Sequence, residues 1–331
     1  MIISRTPFRV SFFGGGTDYP QWYRKHGGAV LATTIDKYCY ISVRKLPPFF
    51  EHKFRVVYSI VENVQQPADI KHPAVRAVLE WMKVKAGLEI HHDGDLPARA
   101  GLGSSSAFTT GLINALHALD GRRVSQEELA DEALHVEQDV INEPVGSQDQ
   151  LSAAFGGFNH MTFRRDGSYQ VNPLIVPRAR LDLLQDHLML LFTGISRLSA
   201  EVAAVTIANL PQREAALQNM QRMVDQAIAI LASPAADITD FGRLLHESWL
   251  LKRTLAERVS SATIDDMYAA ARADGAIGGK ILGAGGGGFL LLFVKPEDRA
   301  RVRERLKTFI DVPFRFESSG SRIVLYQPDG W

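Results

Sequence analysis

Only one cysteine, Cys39, occurs in the 331 residues. A single thiol excludes an intrachain disulfide framework and a cysteine-rich zinc site. It fits a reducing compartment, and Cys39, inside an apolar strand-like stretch, reads as a small core residue. Excess charge is missing too, because 37 Lys plus Arg balance 37 Asp plus Glu. A neutral chain has no field with which to gather nucleic acid or an anionic membrane, so neither is expected as a partner. Any phosphate must be held by local geometry. Long apolar runs are lacking as well: those around His187–Ile195 and Phe289–Val294 are too short to cross a bilayer. The opening Met-Ile-Ile-Ser-Arg-Thr-Pro has no signal-peptide core, so a cytoplasmic location is expected. The sequence holds no Gly-x-x-x-x-Gly-Lys-Ser/Thr, which removes the Walker A loop.

Apolar residues are present at 46%, enough for the core of one large domain or two ordinary ones. Residues 1–65 read as strands, with Phe8–Phe13, Val30–Ile35 and Tyr38–Val43 the clearest. A short helical piece holds Trp22 and Tyr23. His72–Ala86 has helical periodicity, and Leu88–His92 is a further strand. Beyond about residue 176 the pattern changes. A strand at Leu188–Thr193 precedes helical patterns at Ser199–Asn209, Pro211–Ala232, Ile238–Val259 and Ile264–Ala273. The strand Phe289–Val294, a helix Pro296–Phe309 and strands at Val312–Phe316 and Arg322–Tyr326 complete the expectation. Strands mixed with helices, without steady βαβ alternation, predict an α+β fold in two lobes, 1–177 and 178–331, parted near Pro173–Arg180.

Four stretches invite chemistry. Pro97-Ala-Arg-Ala-Gly-Leu-Gly-Ser-Ser-Ser-Ala107 is a small-residue turn that runs straight into a helical pattern. Serine is a good N-cap, glycine permits close backbone approach, and a helix N-terminus suits a phosphate. The turn is thus either a phosphate cradle or a plain helix cap. Ser125-Gln-Glu-Glu128 has the form of a capping box. The helix it opens puts Glu137 on one stripe with Ala130, Leu134 and Ile141, an acid on an apolar face that needs a cation or a donor. Gly283–Gly288 formally matches Gly-x-Gly-x-x-Gly, yet it opens a strand instead of following one, which argues against a dinucleotide fold. Its glycines imply a flexible turn, or a backbone packed against a ligand or another loop. His91-His92-Asp93-Gly-Asp95 resembles a metal cluster, but neighbouring strand residues point to opposite faces, so it reads as a strand end and turn.

Pro7-Phe-Arg-Val-Ser-Phe-Phe-Gly-Gly-Gly-Thr-Asp18-Tyr, Pro97–Ala107 and Lys280–Phe293 together resemble the three motifs of the GHMP kinases, in that family's order. The resemblance implies a ribosomal-S5-like N-terminal lobe, a ferredoxin-like C-terminal lobe and an active site between them. It implies ATP and Mg²⁺ as cofactors. Arg99, Ala100, Gly101, Leu102, Gly103, Ser104, Ser105 and Ser106 would bind the ATP phosphates, and Ser105 with Glu137 would hold the metal. Asp149 would be the catalytic aspartate, with Arg9 beside it. Gly15, Gly16, Thr17 and Asp18 would meet the substrate. Gly283, Gly285, Gly286 and Gly287 form the C-terminal glycine loop.

Galactokinases of the family carry Glu-His where this chain has Gly15-Gly16. The gap is expected to admit a sugar with a longer exocyclic arm. The details of Gly14–Asp18, Thr34–Tyr38, Gly101–Ser106 and Phe192–Arg197 resemble the branch that phosphorylates the anomeric hydroxyl of a heptose 7-phosphate, on the way to nucleotide-activated heptose for surface polysaccharide. A sugar phosphate needs a second anion site, for which Lys37, Lys71, Arg197 and Arg322 are candidates and Arg197 is preferred. A fucokinase- or galactokinase-type enzyme and a silent nucleotide-binding module are the alternatives. A small-molecule sugar phosphate is the expected partner, with a homodimer as a candidate assembly.

Overall fold

A computed structural model describes residues 1–98, 100–195 and 199–328. Its spine is a pair of long antiparallel strands, β1 (Ile2–Phe13) and β2 (Gly28–Lys45), with α1 (Pro20–His26) between them. Then come β3 (Phe54–Val57), β4 (Val61–Val64), α2 (Pro73–Trp81) and β5 (Leu88–Gly94). Next in the chain are α3 (Ser104–Leu119), α4 (Gln126–His135), α5 (Gln148–Phe155), β6 (Phe158–Phe163) and β7 (Tyr169–Pro173). The second half contains α6 (Arg178–Asp186), β8 (Leu188–Phe192), α7 (Ser199–Asn209), α8 (Glu214–Ala232), α9 (Thr239–Arg253) and α10 (Ala262–Ala273). It closes with β9 (Ala276–Ile281), β10 (Phe289–Val294), α11 (Arg299–Arg305), β11 (Ile310–Asp311), β12 (Phe316–Glu317) and β13 (Arg322–Tyr326). The fold is α+β, as expected.

Among the described residues the strands form two sheets. The larger runs β13-β1-β2-β5-β3-β4, with β12 and β6 also pairing β2 and β7 pairing β6. The smaller is antiparallel, β11-β8-β10-β9. β2 is one continuous strand where two were expected. Its first half pairs β6 and its second half pairs β5. The end of β1, from Thr6 to Phe13, is buried on both faces. Helices α3 and α5 and helices α8 and α9 all pack against it. An aromatic cluster closes this junction. Phe12 and Phe13 lie edge-on to Phe241 of α9, at 5.5 and 5.1 Å, and Phe241 reaches Phe293 of β10 at 6.3 Å. Each such pair adds roughly 0.5–1.5 kcal/mol beyond its buried area. The two sheets are thereby held against the end of β1.

Three expectations are corrected. The helix placed at His72–Ala86 stops at Trp81, and Lys83 is in the left-handed region, which ends it. The helix placed at Pro296–Phe309 is reduced to Arg299–Arg305 after one 3₁₀ turn. The strand placed at Val312–Phe316 does not form. The chain crosses here from the second sheet to the first around Pro313, which lacks an N–H for any ladder. Strands β12 and β13, in the range assigned to the second lobe, hydrogen-bond to β2 and β1 of the first sheet.

Candidate active site

A cavity of about 890 Å³ opens beside the serine turn. Aromatic side chains around Phe108 line one part of it, where His72 stacks on Phe108 at 4.6 Å and His92 meets it edge-on at 5.0 Å. The serine turn and a cluster of charged groups line the rest.

The turn is built backbone on backbone. A Cβ on Gly101 would stand 2.5 Å from the Leu282 carbonyl, and one on Gly288 only 2.2 Å from that of Ala100. The glycine loop is therefore packed against another loop, one of the two causes its sequence suggests. Gly283 reaches the cavity, whereas Gly285 packs on Val259 and Gly287 on Ile195. Gly286 donates to the Val259 carbonyl at 2.9 Å. The N-cap of α3 is Gly103, in the left-handed region, and not a serine. Ser104, Ser105 and Ser106 form the first helical turn, all lining the cavity, and the positive end of α3 faces it there. Leu102 and Ala100 are buried beneath the turn. Arg99 and Arg197 lie outside the described residues.

Arg9 and Asp149 meet in a bidentate pair, with Nε to Oδ1 and Nη2 to Oδ2 both 2.8 Å. Arg9 Nη1 also donates to the Gly101 carbonyl at 2.6 Å, and the Arg9 N–H to that of Leu102 at 3.0 Å. The serine turn is thus pinned to β1, and a Cβ on Gly103 would lie 3.5 Å from the Asp149 carboxyl. The planar fork of arginine suits this two-point grip.

Asp18 is buried beside this pair. It accepts from the Gly16 N–H and from Gln148 Nε2, each at 2.9 Å. Burial raises its carboxyl pKa, and the Asp149 charge raises it further against the lowering effect of those donors. Gly15, Gly16 and Asp18 all line the cavity. Thr17 does not, and its expected contact with substrate is corrected. Its hydroxyl lies 2.8 and 2.9 Å from the Gly14 and Ala29 carbonyls and holds the glycine turn against β2. Two buried oxygens near Gly15, Ser11 Oγ and Gln148 Oε1, have no hydrogen-bond partner among the described residues.

Glu137 is fully buried, as its apolar stripe required, in a single π-turn that extends α4. The serine hydrogen-bonded to Glu137 is Ser106, which donates to Oε2 at 2.8 Å, while Ser105 lines the cavity and is exposed, because each helical step turns the side chain by about 100°. Gln150 donates to the same oxygen, the Thr109 hydroxyl also acts on this carboxyl, and among the described residues Oε1 has no hydrogen bond of ordinary geometry. Burial pushes this carboxyl up to about 7 against the pull of the Ser106 hydroxyl. Glu137 lies behind the Ser106 hydroxyl and not on the cavity wall itself, and a hard oxygen set there beside a hydroxyl fits Mg²⁺, which binds through one or two protein groups and keeps water and phosphate oxygens.

Sequence reasoning missed Lys252 and Lys280. Both are buried and both line the cavity. The signal was the one that exposed Glu137, a charge set in an apolar run. Of the basic residues proposed for an anion site, Lys71 lines this cavity, and Lys37 lines a separate one of about 410 Å³. Arg322 is exposed on β13. His91 of the apparent metal cluster pairs with Glu89 at 2.9 Å.

Comparison with known proteins matches residues 68–157 to the GHMP kinases N terminal domain and residues 227–311 to the GHMP kinases C terminal domain. The chain is similar to a D-glycero-alpha-D-manno-heptose 7-phosphate kinase of Campylobacter jejuni, 30% identical across 92% of this chain and 93% of that protein. It is also similar to the bifunctional fucokinase/GDP-fucose pyrophosphorylase of Arabidopsis thaliana, 26% identical across 91% of this chain and 30% of that one. Its fold matches the crystal structure of a D-glycero-D-manno-heptose 1-phosphate kinase from Bacteroides thetaiotaomicron, with a TM-score of 0.79, 23% identity, and 97% and 98% of the two chains covered.

Proposed function

The chain belongs to the GHMP kinases, phosphotransferases with an alcohol group as acceptor, and from that premise we propose that it phosphorylates the anomeric hydroxyl of a heptose 7-phosphate, using ATP and Mg²⁺. The observation that carries this reading is the Arg9–Asp149 pair, held between the N-terminus of α3 and Asp18 in one cavity. Asp149 accepts or orients the proton of the attacking hydroxyl. That oxygen forms the new bond to the γ-phosphorus as the bond to the ADP oxygen breaks, giving a 1,7-bisphosphate. Arg9 fixes the aspartate and stabilises charge on the group in transit. Serine-turn N–H groups face the nucleotide phosphates. Bound Mg²⁺ would neutralise phosphate charge, and Glu137 with Ser106 would hold it.

Asp18, Ser11 and Gln148 support a polyhydroxylated acceptor, because two of their oxygens await donors. The absence of a side chain at Gly15 leaves room for a longer arm. The similarity to the C. jejuni heptose 7-phosphate kinase favours that acceptor, and the similarity to the plant fucokinase keeps a fucokinase-type acceptor as the second reading. Cytoplasmic location and dimer formation belong to the same proposal.

The test is ADP release with Mg-ATP across heptose 7-phosphate, mannose, galactose, fucose and mevalonate, with Asp149→Ala as control and phosphorus NMR of the product. Fastest turnover on heptose 7-phosphate with the new phosphate on C1 supports the proposal. Turnover on another sugar keeps the chemistry and replaces the acceptor. ATP binding without turnover on any of them favours the silent module.

A further inference from the structure

Lys252 and Lys280 play no part in the reading above. Lys252, on α9, donates to the carbonyls of Ile281 and Gly283 at 2.8 and 2.5 Å. Lys280, on β9, donates to the carbonyl of Phe12 at 2.8 Å. Both side chains line the cavity although they are only 8% and 2% exposed. An ammonium has three donors. Among the described residues these bonds use three of the pair's six, which leaves three in hand.

Charge is also out of balance. The charged groups acting on Lys252 are Lys280, Arg9 and Asp18, and those acting on Lys280 are Arg9 and Asp18. Arg9 is already matched by Asp149. Three cations thus share this corner with two carboxylates, one of which, Asp18, is pushed toward its neutral form by burial. Burial lowers both ammonium groups, Lys280 to about 7. An unmatched buried charge is costly, so the pair rests short of full charge in the empty cavity, and an anion entering it would restore that charge and meet the three unused donors.

We propose that Lys252 and Lys280 form the seat for the phosphate monoester carried by the acceptor sugar. The inference rests on the kinase reading above and adds to it the residues that hold the acceptor's own phosphate. A monoester brings up to two negative charges and three acceptor oxygens to the three spare donors. The nucleotide phosphates have a separate provision in the serine turn and the N-terminus of α3. Lys280 bonds the carbonyl of Phe12, which leads straight into the Gly14–Asp18 turn on the acceptor side, and Lys252 reaches the same cavity from the glycine loop.

The test uses the full chain and the variants Lys252→Met and Lys280→Met, which keep an apolar stem. Calorimetry without nucleotide compares heptose 7-phosphate with the phosphate-free heptose, and a second titration uses Mg-ATP alone. The wild type is expected to prefer the phosphorylated sugar at least tenfold. Each variant should erase that preference and leave Mg-ATP affinity within twofold. Preference retained in both variants, or loss of Mg-ATP affinity in its place, overturns the proposal.

Two controls separate other failures. If the wild type binds neither sugar, the acceptor assignment has failed by itself. Inorganic phosphate then reads the seat, and equal phosphate binding in wild type and variants overturns it. If a Met variant unfolds, Lys252→Arg and Lys280→Arg replace it. These keep the charge and should keep the phosphate preference, whereas loss of preference in folded Arg variants shows a clamp on the glycine loop and overturns the seat.

Discussion

The two ends of the candidate site are unbalanced in opposite directions. Beside the serine turn, Glu137 is a buried acid with one oxygen that has no hydrogen bond of ordinary geometry among the described residues. Beside Asp18, Lys252 and Lys280 are buried bases with donors in hand. Each is expensive in an empty protein, because an isolated charge loses its hydration and gains no counter-charge. Between the two lies Arg9–Asp149, which is balanced within the chain. The difference separates groups that the protein satisfies by itself from groups whose complement has to arrive. On the proposed reading a cation would complete one side and an anion the other, with the Arg9–Asp149 pair between them.

Removing the acid should break this contrast most severely. Glu137→Gln is expected to lower turnover on the order of 100-fold, with a raised Mg²⁺ requirement, because a site charge aimed at the reaction is lost. The fold should survive, since an amide is cheaper to bury than a carboxylate. ADP-release rates across a Mg²⁺ titration, beside a thermal melt, check both halves. A variant with wild-type Mg²⁺ dependence would remove Glu137 from the metal site.

A charge placed on the other side sharpens the same contrast. Gly15 has a backbone that any residue can adopt, and a Cβ there would find nothing nearer than 3.8 Å. Gly14 is different: a Cβ there would fall 1.9 Å from the Ala29 carbonyl. Gly15→Glu should therefore fold normally and direct a carboxylate at the acceptor. The KM for a sugar phosphate is expected to rise roughly tenfold, with kcat changed less and ATP affinity unchanged. Steady-state kinetics with each substrate varied in turn decides it, and unchanged kinetics would end the argument that the glycine pair makes room for the arm.

The smallest effect is on stability, where the two sides should have opposite pH slopes. Glu137 has a raised pKa, about 7 against an ordinary 4.5. The folded chain then holds the extra proton between these values, so stability falls as pH rises through that window. Lys280 has a lowered pKa, about 7 against 10.5. Here the unfolded chain holds more protons, so stability is lower near pH 7 and rises toward 10. Urea unfolding at stepped pH should show both slopes. Glu137→Gln should flatten the acid-side fall, and Lys280→Met the alkaline-side rise.

Much of the site was legible in the chain. Arg9, Asp18 and Asp149 sit in short motifs, and the structure places all three at one cavity. Glu137 was visible as an acid on an apolar stripe. Which serine hydrogen-bonds Glu137 could not be read, because the phase of α3 is set by its cap at Gly103, and composition favoured a serine there. Thr17 looked like a substrate contact because its neighbour Asp18 lines the cavity, yet adjacent residues in a tight turn point apart. Lys252 and Lys280 stayed hidden because 28 positions separate them from one another and far more separate them from Arg9.

Local preference accounts for what could be read directly. Alternating apolar residues make strands, small residues let loops touch, and a serine run before a helical pattern marks a helix start. Such tendencies act over a few bonds, so the order and type of most elements followed from the chain alone, as did the balanced net charge and the candidate acid–base residues. Pairing, burial and charge state did not. Whether Ser105 or Ser106 meets Glu137, which loop the glycines press against, and whether two lysines share one pocket all depend on distances between segments remote in the chain. Desolvation and Coulomb energy are functions of those distances, and packing of the two sheets around the end of β1 sets them.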